Sequence, residues 1–161
     1  MTSILILNGP NLNLLGTRKP EVYGTTTLAD MEEMCRQEAG KLGLDVVFRQ
    51  SNHEGQLIDW IHETGAAVKA GESIGAVFNP GAFTHTSAAL HDAIEAASLP
   101  VIELHISNVH TREEWRHHSY ISPVARGIIV GFGMTGYLLA IQGLHQLSQV
   151  GPPPSTGQRR D

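Results

Sequence analysis

The fold of this chain is decided by the stretch Val101-Ile-Glu-Leu-His-Ile-Ser-Asn-Val-His-Thr-Arg-Glu-Glu-Trp-Arg-His-His-Ser119. Its first five residues form an apolar run behind Pro100, and this pattern predicts a buried strand. Glu103 and His105 are two positions apart in that run, so their side chains share one face of the predicted strand. Residues 106–108 then leave the strand as a polar loop.

The second half of the stretch predicts a helix. Thr111 and Glu114 have the spacing of a capping box, so the helix should begin near Thr111. Arg112 and Arg116 would lie on one face of it. A plain strand, loop and solvated helix would account for a single histidine here. A buried glutamate needs a partner, however, and an acid–histidine pair backed by two guanidinium groups suits a small anionic substrate.

Composition limits the classes of protein to consider. The 161 residues are 41% hydrophobic and 17% charged, which is typical of a globular domain with a core of its own. The formal charge of −5 does not favour a nucleic-acid-binding surface. No apolar run approaches the ~20 residues of a membrane span, and the first residues lack the pattern of a signal peptide. We therefore expect a cytoplasmic protein.

The cysteine and the histidines give no indication of a metal site. Cys35 is the only cysteine, which fits a reducing compartment, and it falls in a helical pattern where packing is its expected role. The nine histidines are scattered, and none has the His-x-x-x-His spacing of a zinc-binding helix. We expect neither a metal ion nor a cofactor.

Strands and helices are predicted to alternate along the chain. Apolar runs predict strands over 3–7, 45–50, 74–78, 101–105 and 127–130. Amphipathic patterns predict helices over 28–42, 56–63, 87–98 and 136–149. Thr27 and Asp30 mark the start of the first helix and Gly43 its end. The structure of the connection 65–75 is left open.

This alternation predicts an α/β, flavodoxin-like, three-layer αβα sandwich with a five-stranded parallel sheet of order 2-1-3-4-5. Residues 1–150 would form a single catalytic domain, and 151–161 a tail that is disordered by composition. Loops after strands one, three and four would meet where the strand order reverses. The polar residues expected to meet there are Asn11, Arg18, Tyr23, Asn79, His85, His105, Ser107, Arg112 and Arg116.

Two motifs in the chain match known signatures but lie in the wrong context. Residues 131–136 match the dinucleotide-binding fingerprint, but no strand with a terminal acid follows their helix. Their glycines are better explained by a tight turn and close helix packing. Gly71-Glu-Ser-Ile-Gly75 matches a nucleophile elbow, which needs a strand before its serine; here the strand follows, so Ser73 should be a loop serine.

The motifs together resemble those of type II 3-dehydroquinate dehydratases over roughly residues 4–147. The segment 8–18 with Tyr23-Gly24 is similar to the N-terminal signature of that family. Thr84-His-Thr-Ser87, residues 102–108 and residues 112–119 are similar to its other motifs. The resemblance implies dehydration of 3-dehydroquinate to 3-dehydroshikimate by anti elimination through an enolate. It implies no cofactor or metal, and a homododecamer built as a tetramer of trimers.

The resemblance also implies roles for single residues. Tyr23 would be the base at substrate C2, with Arg18 favouring its phenolate, and His105 the acid that protonates the leaving hydroxyl. Glu103 would orient His105, and Asn11 would stabilise the enolate. The implied substrate-binding residues are Asn79, His85, Asp92, Arg116, the backbone of Ile106 and Ser107, and Arg112 in the surrounding shell.

Three features depart from the family pattern. Phe83 stands where tyrosine is common, His91 stands where arginine is common, and the connection 65–75 is longer than usual. All three concern assembly contacts and local stability rather than the chemical residues. A non-catalytic binding protein for a small anion or nucleotide remains the rival hypothesis, since fold alone does not give function. Tyr23 beside Arg18 discriminates the two, because a pure binder has no use for a base on a loop.

Overall fold

The computed structural model describes residues 1–17 and 19–150, without the side chains of Val22 and Tyr23. The strands are β1 (Ser3–Asn8), β2 (Asp45–Gln50), β3 (Ser73–Asn79), β4 (Val101–His105) and β5 (Gly127–Val130). The helices are α1 (Pro20–Tyr23), α2 (Leu28–Lys41), α3 (Glu54–Lys69), α4 (Ala88–Ala97) and α5 (Thr135–Gln149). Within the described ranges, no helix is both long and apolar enough to cross a membrane.

The five strands form one parallel sheet of order β2-β1-β3-β4-β5. This is the flavodoxin-like order, and it confirms the predicted topology. The order reverses at β1, so the loops leaving β1 and β3 lie side by side. That reversal is where ligands bind in open α/β sheets.

Alternate side chains of the central strands feed two separate hydrophobic cores. Ile4 and Ile6 of β1 are buried with residues of α2 and α5, whereas Leu5 and Leu7 are buried with residues of α3 and α4. The two-residue period of a strand and apolar residues at every position therefore produce helices on both sides of the sheet. Glu103 follows this alternation and faces the α3–α4 side together with His105.

The termini of α2 agree with its sequence signals. Thr27 and Asp30 form a capping box in which each side chain accepts a hydrogen bond from the other's backbone amide. Gly43 follows the helix with a φ of 74°, a conformation that glycine adopts without strain. Cys35 is fully buried in this helix, and burial raises the pKa of its thiol to about 12, in keeping with a packing role.

The helix α3 is longer than predicted, because it continues to Lys69 through the first five residues of the connection that the sequence left open. Gly65 lies inside it, where glycine is normally unfavourable. A β-carbon at Gly65 would come within 2.8 Å of both Cβ and the carbonyl oxygen of Ala97 in α4. Close packing of α3 on α4 therefore outweighs the local cost of a glycine in the helix.

The prediction of an α-helix beginning near Thr111 was wrong. Residues 109–117 contain two short 3-10 turns, Val109–Thr111 and Glu114–His117. Asn108 caps the first turn through the amide of His110, and the Thr111 hydroxyl donates back to the carbonyl of Asn108. The Thr111 hydroxyl therefore bonds to the preceding turn, and the predicted capping box with Glu114 does not form.

The structure explains the two motifs that match known signatures in the wrong context, residues 131–136 and residues 71–75. Gly131 and Gly133 have positive φ values of 90° and 60°, as the tight turn requires. A β-carbon at Gly136 would lie 2.7 Å from Cδ1 of Leu104, so this glycine allows α5 to pack closely on β4. Ser73 is the first residue of β3 rather than a loop residue, and its hydroxyl accepts a hydrogen bond from the amide of Gly75.

Candidate active site

The end of β4 places an acid–histidine pair beside the cleft at the carboxyl edge of the sheet. Glu103 and His105 lie on one face of the strand, as predicted, with Nε2 of His105 2.5 Å from Oε2 of Glu103. The side chains are 1% and 7% exposed, respectively. A carboxylate can only accept, so Nε2 carries the proton and Nδ1 is the ring nitrogen available for chemistry.

Three hydroxyl groups surround the Glu103 carboxylate. Thr84 donates to Oε2 at 2.8 Å, Ser122 donates to Oε1 at 2.5 Å, and Ser119 lies 3.0 Å from both oxygens. Burial by itself raises the pKa of Glu103. The hydrogen bonds from His105, Ser122 and Thr84, with the charge of His105, outweigh it and hold this pKa below its usual value. The hydrogen bonds therefore keep the buried carboxylate in its ionised form.

Most of the predicted site residues meet in one cleft. It is bounded by the loop after β1, the 3-10 turn Gly81–His85 after β3, and the loop and turns after β4. The predicted residues that line this cleft are Asn11, Asn79, His85, His105, Ile106, Ser107, Arg112 and Arg116. The meeting of the loops after strands one, three and four is thus confirmed.

The ring of His85 stacks near the ring of His105, with centroids 6.2 Å apart. Its Nδ1 donates to the carbonyl oxygen of His118 at 2.7 Å, which leaves Nε2 as an acceptor when the ring is neutral. Burial, and then the charges of His105 and Arg116, lower the pKa of His85 despite the opposing effects of the His118 carbonyl and Glu103. The neutral ring can therefore accept a hydrogen bond from a hydroxyl group.

Two arginines give the cleft positive charge. Arg112 donates from Nη1 to the Ser107 hydroxyl at 3.1 Å. Arg116 donates from Nε to Glu113 at 2.6 Å, and its guanidinium lies 4.0 Å from the ring centroid of Trp115. Their side chains are only 15% and 13% exposed. Held guanidinium groups of this kind suit a carboxylate or a hydroxyl-rich anion.

Asn79 is fixed by a buried network that the sequence did not predict. Its Nδ2 donates to the Tyr137 hydroxyl at 3.0 Å, and its Oδ1 accepts from the amide of Gly81 at 3.2 Å. Tyr137 in turn donates to Oδ1 of Asn8 at 2.7 Å. Burial raises the pKa of Tyr137 despite the opposing Asn79 hydrogen bond, so the phenol keeps its proton. Asn79 retains one Nδ2 hydrogen for the cleft.

Asn11 occupies a tight turn after β1. Its φ is 69°, in the left-handed region that asparagine tolerates better than most residues. Its amide donates to Oδ1 of Asn52 at 3.0 Å, and the same oxygen accepts from Nε2 of Gln50. The loop is therefore held from the end of β2, with Asn11 at the cleft.

Four predicted site residues do not line the described cleft; one is Glu103, which adjoins it through its hydrogen bond to His105. Arg18 lies outside the described residues. Tyr23 is the last residue of α1, a single helical turn in the loop 17–24, and its side chain is also outside the description. Asp92 is exposed on α4 and does not line the cleft.

The sequence also missed residues that act behind the cleft. Ser122 and Tyr137 had no signal of their own: one is a loop serine before a proline, the other an aromatic residue at an apolar helix position. Thr84 and Ser119 were identified only as parts of the motifs that resemble those of the family, with no role of their own. Among residues 1–17 and 19–150, no group of three or more His, Cys, Asp or Glu is arranged to hold a metal ion.

Comparison with known sequences identifies close relatives. The sequence model of the family described as Dehydroquinase class II matches residues 2–145. A 3-dehydroquinate dehydratase of Variovorax paradoxus is 68% identical over 144 residues, which cover 89% of this chain and 99% of that protein. A 3-dehydroquinate dehydratase of a Marinomonas species is 67% identical over 148 residues, covering 91% of this chain and 99% of that one.

Solved structures agree with the sequence comparison. The type II dehydroquinase from Propionibacterium acnes has a TM-score of 0.84 and 42% identity, covering 91% of this chain and 98% of that chain. The fold, the family signature and the close relatives all agree. The chain belongs to the class II dehydroquinase family.

Proposed function

We propose that this protein is a 3-dehydroquinate dehydratase, a hydro-lyase that removes water from 3-dehydroquinate by anti elimination to give 3-dehydroshikimate. The observation that carries the proposal is the buried Glu103–His105 pair, which opens on a cleft lined by Arg112 and Arg116. The close relatives named 3-dehydroquinate dehydratase support the same substrate.

His105 is the proposed general acid. Glu103 holds Nε2, so Nδ1 of the imidazolium protonates the hydroxyl that leaves from substrate C1. The ionised Glu103 stabilises the charged imidazolium, which is the form that an acid needs. A general acid is worth roughly 10²–10⁴ in rate.

Tyr23 is the proposed base, which removes a proton from substrate C2. An ordinary tyrosine has a pKa of ~10, so the phenolate needs a neighbouring cation near neutral pH. Arg18 supplies a charge that is not lost by deprotonation. Closure of the lid 17–24 over the substrate would bring the two together and exclude water.

The remaining predicted residues bind the substrate and the enolate. Neutral His85 and the fixed Asn79 offer an acceptor and a donor to substrate hydroxyl groups. The backbone of Ile106 and Ser107 would take the carboxylate, with Arg112 beside Ser107. Asn11 stabilises the enolate, and Arg116 adds positive charge.

Asp92 has a different position in the proposal. It is exposed on α4 and lies outside the cleft of its own chain. If it binds substrate, it does so in the cleft of a neighbouring copy. The proposed homododecamer, a tetramer of trimers, would supply that copy, and light scattering tests it.

No metal ion or cofactor is proposed for the reaction. Lys19, Lys41 and Lys69 are exposed, whereas a Schiff-base lysine must be desolvated. Activity should survive dialysis against a chelator, and borohydride with substrate should not inactivate the protein. We place the reaction in the cytoplasm, in a single catalytic domain of residues 1–150, and in aromatic biosynthesis or quinate breakdown.

The deciding experiment adds 3-dehydroquinate to the purified protein and follows the absorbance of the conjugated enone product. We expect turnover by the wild-type protein and a large loss in His105→Ala. Binding of 3-dehydroquinate without turnover would favour the rival function, a non-catalytic binder of a small anion.

A further inference from the structure

The Glu103 carboxylate is hydrogen-bonded by several protein donors. With its side chain 1% exposed, it has almost no contact with water. A buried carboxylate without partners would be strongly unfavourable, and it would take up a proton. A protonated Glu103 would no longer attract a charged His105. The groups that hydrogen-bond to Glu103 therefore decide whether the acid of the proposed reaction is charged.

Two of these donors, Ser119 and Ser122, come from a segment that is itself firmly held. Ser119 accepts hydrogen bonds from the amides of both Ile121 and Ser122, at 3.0 Å each. The amide of Tyr120 donates to the carbonyl of Thr84 at 2.7 Å, and Ile121 is fully buried. Residues 119–122 are thus fixed by three contacts that do not involve Glu103. The hydroxyl groups of Ser119 and Ser122 are therefore held in place independently of Glu103.

The hydroxyl groups act from behind the catalytic pair. Thr84, Glu103, Ser119 and Ser122 line a groove that shares His85, His105 and Arg116 with the substrate cleft, and none of the four lines the cleft itself. Ser122 meets the catalytic pair through its hydrogen bond to Oε1 of Glu103.

We propose that Ser122 is a positioning residue for the reaction, and that it acts with Thr84 and Ser119 by holding the ionised Glu103 carboxylate against Nε2 of His105. Ser122 makes the shortest of these hydroxyl contacts, at 2.5 Å, and it is the main donor to Oε1. Removing it leaves Oε1 with only the shared hydrogen of Ser119. The carboxylate is then less strongly held in its charged form, and the charged imidazole of His105 loses part of its stabilisation.

Other charged and titratable groups also face His105. They are His85 from the turn after β3, Arg112 and Arg116 from the turns after β4, and His110, His117 and His118, which line the same groove as the pair. His85 and Arg116 make their hydrogen bonds to His118 and Glu113 rather than to Ser122. Substitution of Ser122 should therefore change the Glu103–His105 pair and leave the cations of the cleft in place.

The inference rests on the proposed function, so the wild-type protein is assayed first with 3-dehydroquinate. The single variants are Ser122→Ala, Ser122→Thr and Glu103→Gln. The double variant combines Ser122→Ala with Glu103→Gln. Thr84→Val, which removes a hydroxyl with little change of shape, repeats the test should Ser122→Ala fail to fold. Ser148→Ala removes an exposed hydroxyl from α5 and is the control.

We expect Ser122→Ala to lower kcat roughly tenfold with KM changed less than about twofold, since a hydrogen bond to a charged group is lost outside the cleft. The limb of the kcat–pH profile that is missing in His105→Ala should move to lower pH. Ser122→Thr should recover most of the lost kcat. In the Glu103→Gln background, Ser122→Ala should have little further effect, because its route of action is already removed.

Three results would overturn the assignment while leaving the proposed function intact: an unchanged kcat and pH profile in Ser122→Ala, a raised KM with unchanged kcat, or losses that multiply in the double variant. Absence of turnover in the wild-type protein would instead overturn the proposed function, and the positioning role with it.

Discussion

The hydroxyl of Tyr137 lies 3.0 Å from Nδ2 of Asn79, although the two residues are 58 positions apart in the chain. Asn79 ends β3 and Tyr137 is in the first turns of α5, so the contact ties the last helix to the centre of the sheet. The same hydroxyl donates to Asn8 at the end of β1. One phenol thus connects the ends of two neighbouring strands directly beneath the cleft.

Removing that phenol should cost both stability and substrate affinity. Tyr137→Phe leaves Oδ1 of Asn8 and one hydrogen of Asn79 without partners in a buried place, at a cost of about 1–3 kcal/mol for an unsatisfied group. KM should rise, because Asn79 is then held only by the amide of Gly81. Thermal unfolding at one protein concentration and steady-state kinetics measure the two effects. Tyr120→Phe, at an exposed ring, is the control and should stay within ~0.5 kcal/mol.

The role of His105 predicts a particular kinetic pattern. His105→Ala should lower kcat by roughly 10²–10⁴, or about 3–5 kcal/mol, since the leaving hydroxyl departs without a proton. KM should change far less. Steady-state kinetics with 3-dehydroquinate measure both constants. A variant that kept kcat and only raised KM would make His105 a binding residue.

Glu103 should also contribute to the acid sensitivity of the fold. Its pKa in the folded protein is below the usual 4.5, so the stabilisation is present above pH 4.5. It is lost as the pH falls from 4.5 through the folded-state value. In Glu103→Gln this part is absent, so Tm should fall less steeply with decreasing pH. Tm measured across this range tests it, with the surface change Glu33→Gln as control; parallel curves for Glu103→Gln and the wild type would contradict it.

The assignment of Tyr23 as the base predicts a different change in each of two variants of the loop 17–24. Arg18→Gln removes the cation, so the pKa of the basic group should rise and the corresponding limb of the kcat profile should move to higher pH. Tyr23→Phe should stop exchange of the C2 hydrogen with solvent while binding of a product-like ligand persists. Residual turnover in Tyr23→Phe with an unchanged pH profile would mean that another group is the base.

Two glycines in long helices should respond oppositely to alanine. At Gly65 the new methyl group would meet the backbone of Ala97, so Gly65→Ala should destabilise the protein by ~1–3 kcal/mol. At Gly143 in α5 no atom lies within 4 Å of a new β-carbon, so Gly143→Ala should stabilise by roughly 0.5–1 kcal/mol. Urea unfolding of both variants measures the difference. Equal effects would contradict the close packing of α3 on α4.

Much of the fold followed from patterns within single elements. The continuous apolar run of β1 predicted a central strand because both faces of a parallel sheet are covered by helices. Thr27 and Asp30 predicted the start of α2 because a capping box is completed within four residues. The spacing of Glu103 and His105 predicted their contact because alternate residues of a strand share a face.

The failures came where a local signal competed with contacts from elsewhere. The glycine-rich connection 65–75 was left open by the sequence, and packing on Ala97 explains why a residue without a side chain stands at position 65 inside α3. The capping-box spacing of Thr111 and Glu114 predicted a helix, but the Thr111 hydroxyl bonds to the carbonyl of Asn108 instead. In each case the deciding partner was one that the local pattern did not include.

The sequence by itself determined the order of the elements, the two-sided sheet and the acid–histidine pair, because each depends on the period of side chains along one strand or helix. Only the tertiary structure decided how those side chains are held. Ser122 reaches Glu103 across 19 residues, and Tyr137 reaches Asn8 across 129. No short-range period relates such positions. Buried polar groups must find donors and acceptors wherever the folded chain brings them, so these partners become visible only once the layers have packed.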